Sequence, residues 1–181
     1  MNADDFLSLP ETEARFELVN GVVLMSPSPR PRHWRFVQEI LIQIQTFARP
    51  LGGFDTYAEV DVRLDDSTVY QPDLAVYART PAIKPPERLT SPPDLVVEIL
   101  SPGSKAFDLA TKRDTYERFG VKEYWAIDPQ DGSEPSGLRV RSWRLDLARY
   151  VETAADGDRL ASTSLPGFVL DLAPLRAMSG V

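Results

Sequence analysis

The sequence predicts a mixed α/β (α+β) fold, in which a mixed β-sheet is flanked by helices, and three observations carry this prediction. The pair Asn20-Gly21 separates two runs of β-forming residues, which predicts an N-terminal hairpin. A strand, a helix and a second strand follow one another over residues 94–127, which predicts two parallel strands joined by a right-handed crossover. Short runs from residue 138 onward, including Phe168 to Leu170, predict C-terminal antiparallel strands that close the sheet.

The elements of the first half each have a sequence signal. The prolines of residues 26–31 predict a stiff loop, and apolar residues at helical spacing over residues 33–48 predict an amphipathic helix after it. Regular alternation of apolar and charged residues over residues 54–64 predicts one half-exposed strand. Residues 69–78 predict a strand that Pro72 interrupts, because proline cannot donate to a strand ladder.

The second half is organised around a continuous apolar strand over residues 94–100, which follows a proline-rich loop over residues 80–93. A helix is predicted over about residues 105–119, and Gly120 supplies the left-handed residue that ends it. A further strand is predicted over residues 123–127. No repeat or long linker divides the 181 residues, so we expect one domain over residues 1–181.

Composition restricts the chemistry that the chain can perform. There is no cysteine and only one histidine, His33, so a metal would be bound mainly by oxygen ligands, which favours Mg²⁺ or Mn²⁺ over zinc. The formal net charge of -7 argues against a protein that coats nucleic acid, but a nuclease that gathers carboxylates for metals remains compatible with it. No apolar stretch is long enough to span a membrane and the start lacks a signal-peptide pattern, so we expect a cytoplasmic protein.

Two carboxylates stand in apolar surroundings and are the first candidates for a site. Glu98 interrupts the run of residues 95–100, and burial of an unpaired carboxylate costs several kcal/mol, so Glu98 needs a salt bridge, a hydrogen bond or a metal. Asp73 follows Pro72 on the neighbouring candidate strand, although, taken alone, a turn acid that bonds its own backbone is the favoured explanation. Two acids on adjacent strands repel unless one is protonated or a cation lies between them, which makes the pair a reasonable sign of Mg²⁺ or Mn²⁺.

A basic and aromatic cluster stands at the start of the first long predicted helix. Its members Arg30, Arg32, His33 and Arg35 could contact a nucleic-acid backbone, or they could form a solvated helix start. Three arginines at this end oppose the helix dipole, which favours a functional explanation to a modest degree.

Other polar residues have weaker signals. Glu39 and Glu59 could add to a metal site, although both fit surface charges as well. Ser101 follows the Glu98 strand closely enough to face a cleft, or it caps the next helix. Asp108 and Lys112 are four residues apart on that helix, a spacing typical of an exposed ion pair. The aromatic side chains Tyr116, Tyr124 and Trp125 are predicted to fill the core.

The order Pro72-Asp73 followed by Glu98-Ile99-Leu100 resembles the PD-(D/E)xK nuclease signature. The longer context resembles the Uma family within that superfamily, a former domain of unknown function that is classed with restriction endonucleases. The resemblance covers nearly the whole chain, and its strength lies in the order and spacing of short pieces. The matching pieces are residues 16–21, 26–33, 72–76 and 93–102, together with Asp108, Lys112, Tyr116, Gly120-Val121, Glu123-Tyr124-Trp125 and Asp128-Pro129.

The resemblance implies a restriction-endonuclease-like fold and metal-dependent hydrolysis of phosphodiester bonds in DNA. It implies that Asp73, Glu98 and the Ile99 carbonyl bind one or two Mg²⁺ or Mn²⁺ ions, with Asp108 as a further acid nearby. The lysine that the signature places two residues after Glu98 is replaced by Leu100, and Lys112 on the following helix matches the place of a substitute. A homodimer is expected because two strands must be cut. The missing lysine also permits a degenerate, non-catalytic module that binds nucleic acid or protein.

Overall fold

The computed structural model describes residues 1–10, 14–26, 30–79, 87–130 and 137–179. In chain order the elements are helix α1 (Ala3–Leu7), strands β1 (Arg15–Val19) and β2 (Val22–Ser26), helix α2 (Pro31–Leu51), strands β3 (Phe54–Ala58), β4 (Val62–Arg63), β5 (Val69–Tyr70), β6 (Leu74–Ala78) and β7 (Leu95–Ile99), helix α3 (Lys105–Phe107), a π-helical segment (Asp108–Lys112), helix α4 (Arg113–Phe119), strands β8 (Glu123–Asp128), β9 (Arg139–Asp146), β10 (Arg149–Thr153), β11 (Arg159–Ala161) and β12 (Val169–Asp171), and helix α5 (Ala173–Ser179).

A six-stranded mixed sheet forms the centre of the molecule, in the order β10-β9-β8-β7-β6-β3. The pair β7 and β8 is parallel, and the other neighbouring strands are antiparallel. All residues of β7 and β8 are buried, as expected for strands that are covered on both faces. The predicted mixed fold and the predicted strand-helix-strand unit are therefore confirmed.

The N-terminal hairpin is also confirmed and belongs to a smaller sheet of order β2-β1-β5-β4. Asn20 and Gly21 connect β1 to β2 with φ angles of 49° and 81°, the left-handed conformation that a tight hairpin turn requires. Strand β1 pairs with β5 through Leu18 and Val69. Because β5 runs toward β6 of the central sheet, this pairing brings the side chains of β1 close to the start of β6.

Two helical layers cover the central sheet. Helix α2 buries Phe36, Ile40 and Ile44 in the same apolar cluster as Leu95, Val97 and Ile99 of β7. The intervening Val96 packs in a second cluster with Tyr116 of α4. Because successive side chains of a strand point to opposite faces, Glu98 lies on the face of Val96, beneath the π-helical segment and α4.

The structure corrects several element boundaries. The single strand predicted over residues 54–64 is divided between β3 and β4, because Glu59 adopts a left-handed backbone with φ of 51°. Pro31 is the first residue of α2 and not part of the preceding loop, since proline suits the first turn of a helix. Strands β9 and β10 extend the central sheet as expected, but Val169–Asp171 pairs with β11 in a separate hairpin.

The predicted loops fall partly outside the described residues, at positions 27–29 and 80–86. Helices α1 and α5 were not predicted. Within the described parts of the chain, no helix is both long enough and apolar enough to cross a membrane.

Candidate active site

A cleft of about 290 Å³ opens beside the carboxyl end of β7, and carboxylates from three elements line it. Asp73 comes from the start of β6, Glu98 from β7 and Asp108 from the π-helical segment. All three are nearly inaccessible to solvent. The structure therefore brings together the two acids that the sequence predicted as a pair, on adjacent strands.

Asp73 is bound on both of its oxygens. Its Oδ2 accepts a 2.7 Å hydrogen bond from the backbone N–H of Ile99, and its Oδ1 lies 3.2 Å from an Arg15 nitrogen and 3.1 Å from His33 Nε2. Burial acts to raise the pKa of Asp73, but the imidazole, the guanidinium and the backbone N–H favour the charged form and hold the pKa below its usual value. Asp73 is thus an ionised carboxylate, with one oxygen directed at the cationic side of the cleft.

His33, Glu59 and Asp73 form a compact donor group. Their ligand atoms all lie within 4.8 Å of one another. His33 Nε2 contacts Asp73 Oδ1 at 3.1 Å, whereas Glu59 Oε1 is buried without a hydrogen-bond partner among the described residues, with an Arg15 nitrogen at 3.8 Å. The left-handed backbone at Glu59 ends β3, and the Glu59 N–H bonds the Asp73 carbonyl at 3.3 Å, which fixes the two acids side by side.

A second group surrounds Lys112, and we call it the lysine cluster: Lys112, Glu17, Glu98, Asp108 and Tyr116. Lys112 Nζ lies 2.9 Å from Glu17 Oε1, 3.0 Å from Glu98 Oε1 and 3.6 Å from Asp108 Oδ1. Tyr116 donates a 2.9 Å hydrogen bond to the same Glu98 oxygen. Burial disfavours the charged lysine, but the three carboxylates outweigh it and raise the pKa of Lys112.

The protonation of Glu98 differs from that of Asp73. Burial, with further repulsion from Asp73 and Asp108, raises the pKa of Glu98 to about 8 despite the attraction of Lys112. The pKa of Asp108 is also raised, chiefly by burial. Glu98 therefore binds a proton at neutral pH unless a further cation displaces it.

The π-helical segment explains how Asp108 and Lys112 both reach this cluster. A π-helical turn holds an extra residue and is wider than an α-helical turn, a feature frequent at functional sites. Tyr124 donates a 3.1 Å hydrogen bond to the Asp108 carbonyl and ties the segment to β8. The expectation that Asp108 and Lys112 form an exposed ion pair is wrong, because both side chains are buried.

The remaining candidates lie at varied distances from this centre. Arg30, Arg32 and Ser101 line the cleft, and Ser101 Oγ lies 3.0 Å from Ser104 Oγ near the start of α3. Arg32 also donates a 2.7 Å hydrogen bond to the Ser179 carbonyl. Arg35 is exposed on α2, and Glu39 on the same helix accepts a bond from Gln43 at 2.9 Å. Glu39 is thereby engaged within α2.

Comparison with known proteins places the chain in a family. Residues 3–173 match the Uma2 family, whose description reads "Putative restriction endonuclease". The chain belongs to this family. It also resembles a solved structure from Anabaena variabilis, described as a "putative nuclease belonging to DUF820", with a TM-score of 0.81, 21% identity and coverage of 99% of each chain. At this identity the likeness concerns the fold, and it confirms the nuclease-type mixed sheet that the resemblance implied. No curated protein matches the chain.

Two residues of the site in this Uma2 family member were not predicted from the sequence. Arg15 and Glu17 alternate on β1 and lie in the cleft region, where Arg15 contacts Asp73 and Glu17 contacts Lys112. The backbone N–H of Gln71 donates to the same Glu17 oxygen at 3.0 Å. Their period of two on a half-buried strand was the available signal, but the partners come from distant positions in the sequence. Tyr116 was assigned to packing alone, and its hydroxyl proves to contact Glu98.

The charges of the Uma2 site do not balance. Among the described residues, five carboxylates, from Glu17, Glu59, Asp73, Glu98 and Asp108, contact two permanent cations, Arg15 and Lys112, and two further cations, Arg30 and Arg32, line the cleft. Buried carboxylates in such excess repel one another unless protons or cations compensate them. The site is therefore suited to bind a divalent cation.

Proposed function

We propose that the chain is a Mg²⁺- or Mn²⁺-dependent endonuclease that hydrolyses phosphodiester bonds in DNA. Membership of the Uma2 family and the nuclease-type fold support the reaction class. The observation that carries the metal dependence is the His33, Glu59 and Asp73 group, whose ligand atoms lie within 4.8 Å of one another and in which Glu59 Oε1 is buried without a hydrogen-bond partner among the described residues. Buried polar atoms without partners are costly, so a ligand for them stabilises the site.

The donor set fits the proposed metals. Carboxylate oxygens suit Mg²⁺ and Mn²⁺, and an imidazole nitrogen shifts the preference toward Mn²⁺. Asp73 would bind the metal together with His33 and Glu59, while Glu98 and the Ile99 carbonyl provide the donors expected from the sequence. Bound there, a divalent ion would lower the pKa of a coordinated water and neutralise charge on the phosphate oxygens.

The contacts of Lys112 support a role as a fixed cation. Its raised pKa keeps Nζ protonated at neutral pH, so it does not act as a base. Glu17 and Glu98 hold Nζ at 2.9 and 3.0 Å, and Lys112 also lines the cleft. A cation held in place before substrate arrives stabilises negative charge that develops on a phosphate without further reorganisation.

The basic residues of α2 would contact the DNA. Arg30 and Arg32 line the cleft, and Arg35 is exposed on the same helix. His33 belongs to the donor group, so we propose metal binding for it in preference to DNA contact. Two copies of the chain would serve the two strands, and light scattering in solution would test for a dimer.

A plasmid assay tests the activity directly. Supercoiled DNA is incubated with the protein and Mn²⁺ or Mg²⁺, and nicked and linear products are measured. We expect cleavage that requires the metal and that falls at least a hundredfold in Asp73→Asn and Glu98→Gln, a loss of about 2.7 kcal/mol or more in transition-state stabilisation. Asp114→Asn is the matched control, since Asp114 is 63% exposed and pairs with Arg113. Full activity in Glu98→Gln would overturn the proposed site.

Two observations favour a second candidate, a binding module without turnover. Arg15 and Lys112 already contact Asp73 and Glu98, and Leu100 replaces the lysine of the nuclease signature. Calorimetric titration separates the two candidates. Binding of Mn²⁺ that is lost in Asp73→Asn supports the enzyme, whereas absence of binding by the wild type supports the module.

A further inference from the structure

A second cavity of about 100 Å³ lies beside the active-site cleft, between the helical layer and the strands β8 and β9. Lys105 and Leu109 line its helical side, and Arg139 and Arg141 line its strand side. Leu100 lines both this cavity and the cleft. We call this cavity, with Lys105, Asp128, Arg139 and Arg141, the basic groove.

The strand register places the basic groove on the same face of the sheet as Glu98. Glu98 pairs with Ala126 of β8, and Ala126 pairs with Arg141 of β9. Directly paired residues of neighbouring strands point to the same face, so Arg141 stands two strands away from Glu98 on that face, at about 10 Å. Arg139 follows on β9 opposite Asp128, also on that face.

The charge of the groove contrasts with that of the whole chain. Three cations and one carboxylate, Asp128, line it, although the formal net charge of the protein is -7. Clustering of lysine and arginine on one face is the electrostatic signature of phosphate binding, and it has more meaning in an acidic protein than in a basic one.

The ion pairs within the groove can be exchanged for phosphate. Arg141 donates two hydrogen bonds to Glu152, at 2.9 and 3.3 Å, but the Glu152 side chain is 53% exposed, so water screens the pair and a phosphate can compete for the guanidinium. The Arg141 guanidinium also stacks over the Trp143 ring at 4.7 Å, which holds its orientation independently of Glu152. Lys105 Nζ lies 2.6 Å from Asp128 and its side chain is 43% exposed. Cations that neighbouring side chains hold in place and that solvent can still reach are suited to donate hydrogen bonds to a phosphate oxygen.

We propose that the basic groove binds the phosphodiester backbone of duplex DNA as the duplex leaves the cleft. This inference rests on the proposed nuclease function. Each nucleotide of one strand rises about 3.4 Å along the duplex axis, so a separation of about 10 Å spans at most about three nucleotides. The groove therefore contacts phosphates a few nucleotides from the bond that is cut, and it contributes affinity and register without touching the reacting atoms.

Fluorescence anisotropy with a labelled 30-base-pair duplex tests this proposal, with Ca²⁺ in place of Mn²⁺ so that the DNA stays intact. The double variant Arg139→Gln/Arg141→Gln is compared with the wild type over a series of salt concentrations. We expect at least a tenfold weaker affinity and a salt dependence, log K against log[salt], that is shallower by about 2, because each lost phosphate contact removes about 0.9. Arg139→Gln alone, at an exposed position, should give about half of that change in slope.

Arg144→Gln is the matched control, because Arg144 lies on the same strand and alternation places it on the opposite face of the sheet. Its affinity and salt slope should equal those of the wild type. Equal binding by the double variant and Arg144→Gln, or no duplex binding by the wild type, would overturn the proposal that the groove binds DNA. The plasmid assay reports separately on the nuclease. If the wild type cleaves DNA and the groove variants bind normally, only the proposed role of the groove is refuted. If the groove variants bind more weakly but the wild type does not cleave DNA, only the nuclease function is refuted.

Discussion

Lys112 is the cation nearest to three buried carboxylates, and its removal tests how strongly they depend on it. Lys112→Met leaves Glu17 and Glu98 buried without their ion-pair partner, which costs about 3–5 kcal/mol for a broken buried pair. We expect a loss of unfolding free energy in that range at pH 8, measured by urea denaturation. The loss should be smaller at pH 5, because Glu98, with a pKa of about 8, is already protonated there and does not need the cation.

An exposed lysine provides the control for that substitution. Lys122 contacts Asp94, but its side chain is 66% exposed, so Lys122→Met should cost no more than about 1 kcal/mol. If both substitutions destabilised the protein equally, the lysine cluster would not be the special environment that its distances indicate.

Glu98 makes metal binding dependent on pH. Its pKa is about 8 in the metal-free protein, so below pH 8 a metal must displace a proton from it. We expect the Kd for Mn²⁺ to fall about tenfold for each pH unit between about pH 6 and pH 8, and to level off above, as measured by calorimetry. Glu98→Gln should flatten this dependence, and Asp114→Asn should retain it. A wild-type Kd that is constant over that range would contradict the raised pKa.

At the scale of single residues, the sequence revealed those whose surroundings are apolar. Glu98 and Asp73 stood out because a charge in a buried strand is costly, and that cost is visible in a single stretch of sequence. Arg15 and Glu17 did not stand out as members of the site, because their partners Asp73 and Lys112 are far away in the sequence, and His33 stood out without its partner Asp73 being predictable. Hydrophobic periodicity and secondary-structure propensity do not show which distant charged residue a side chain will contact.

At the scale of elements, the π-helical segment positions Asp108 and Lys112 together, and a deletion tests this. Ala110 is exposed within the segment, and its removal lets the helix close with regular α-helical bonds. The wide turn that presents Asp108 and Lys112 together to the lysine cluster is then lost, whereas α4 keeps its place because the removed residue is the extra one. We expect cleavage to be lost while circular dichroism shows unchanged helix content. Ala110→Gln keeps the chain length and should retain activity, whereas an active deletion variant would show that the segment is not required.

The elements themselves were largely predictable where local signals agree. The hairpin turn, the amphipathic helix α2 and the apolar strands β7 and β8 follow from turn residues, helical period and continuous apolar runs. The division of residues 54–64 was not predictable, because Glu59 adopts a left-handed backbone that glutamate rarely favours by itself. The separate pairing of β11 with β12 was not predictable either, because it depends on tertiary contacts.

At the scale of the whole molecule, the smaller sheet, the central sheet and the helical layer all contribute carboxylates to the same site, so negative charge is in excess there. Strand β1 of the smaller sheet contributes Glu17, the central sheet contributes Asp73 and Glu98, and the helical layer contributes Asp108. Repulsion between these elements opposes folding of the metal-free protein. A cation that binds only the assembled site therefore stabilises the fold as a whole.

This linkage gives a measurable stabilisation. A ligand at 100 times its Kd stabilises the native state by about 2.7 kcal/mol, and in a chain of this size each kcal/mol raises Tm by about 2–4 °C. We expect saturating Mn²⁺ to raise Tm by about 5–10 °C in a thermal scan, and EDTA to reverse the shift. Asp73→Asn should abolish the shift because Asp73 belongs to both proposed donor sets, while Asp114→Asn, at a 63% exposed acid, should retain it. An equal shift in Asp73→Asn would mean that Mn²⁺ binds elsewhere, since the ion can stabilise the fold only through the site that it occupies.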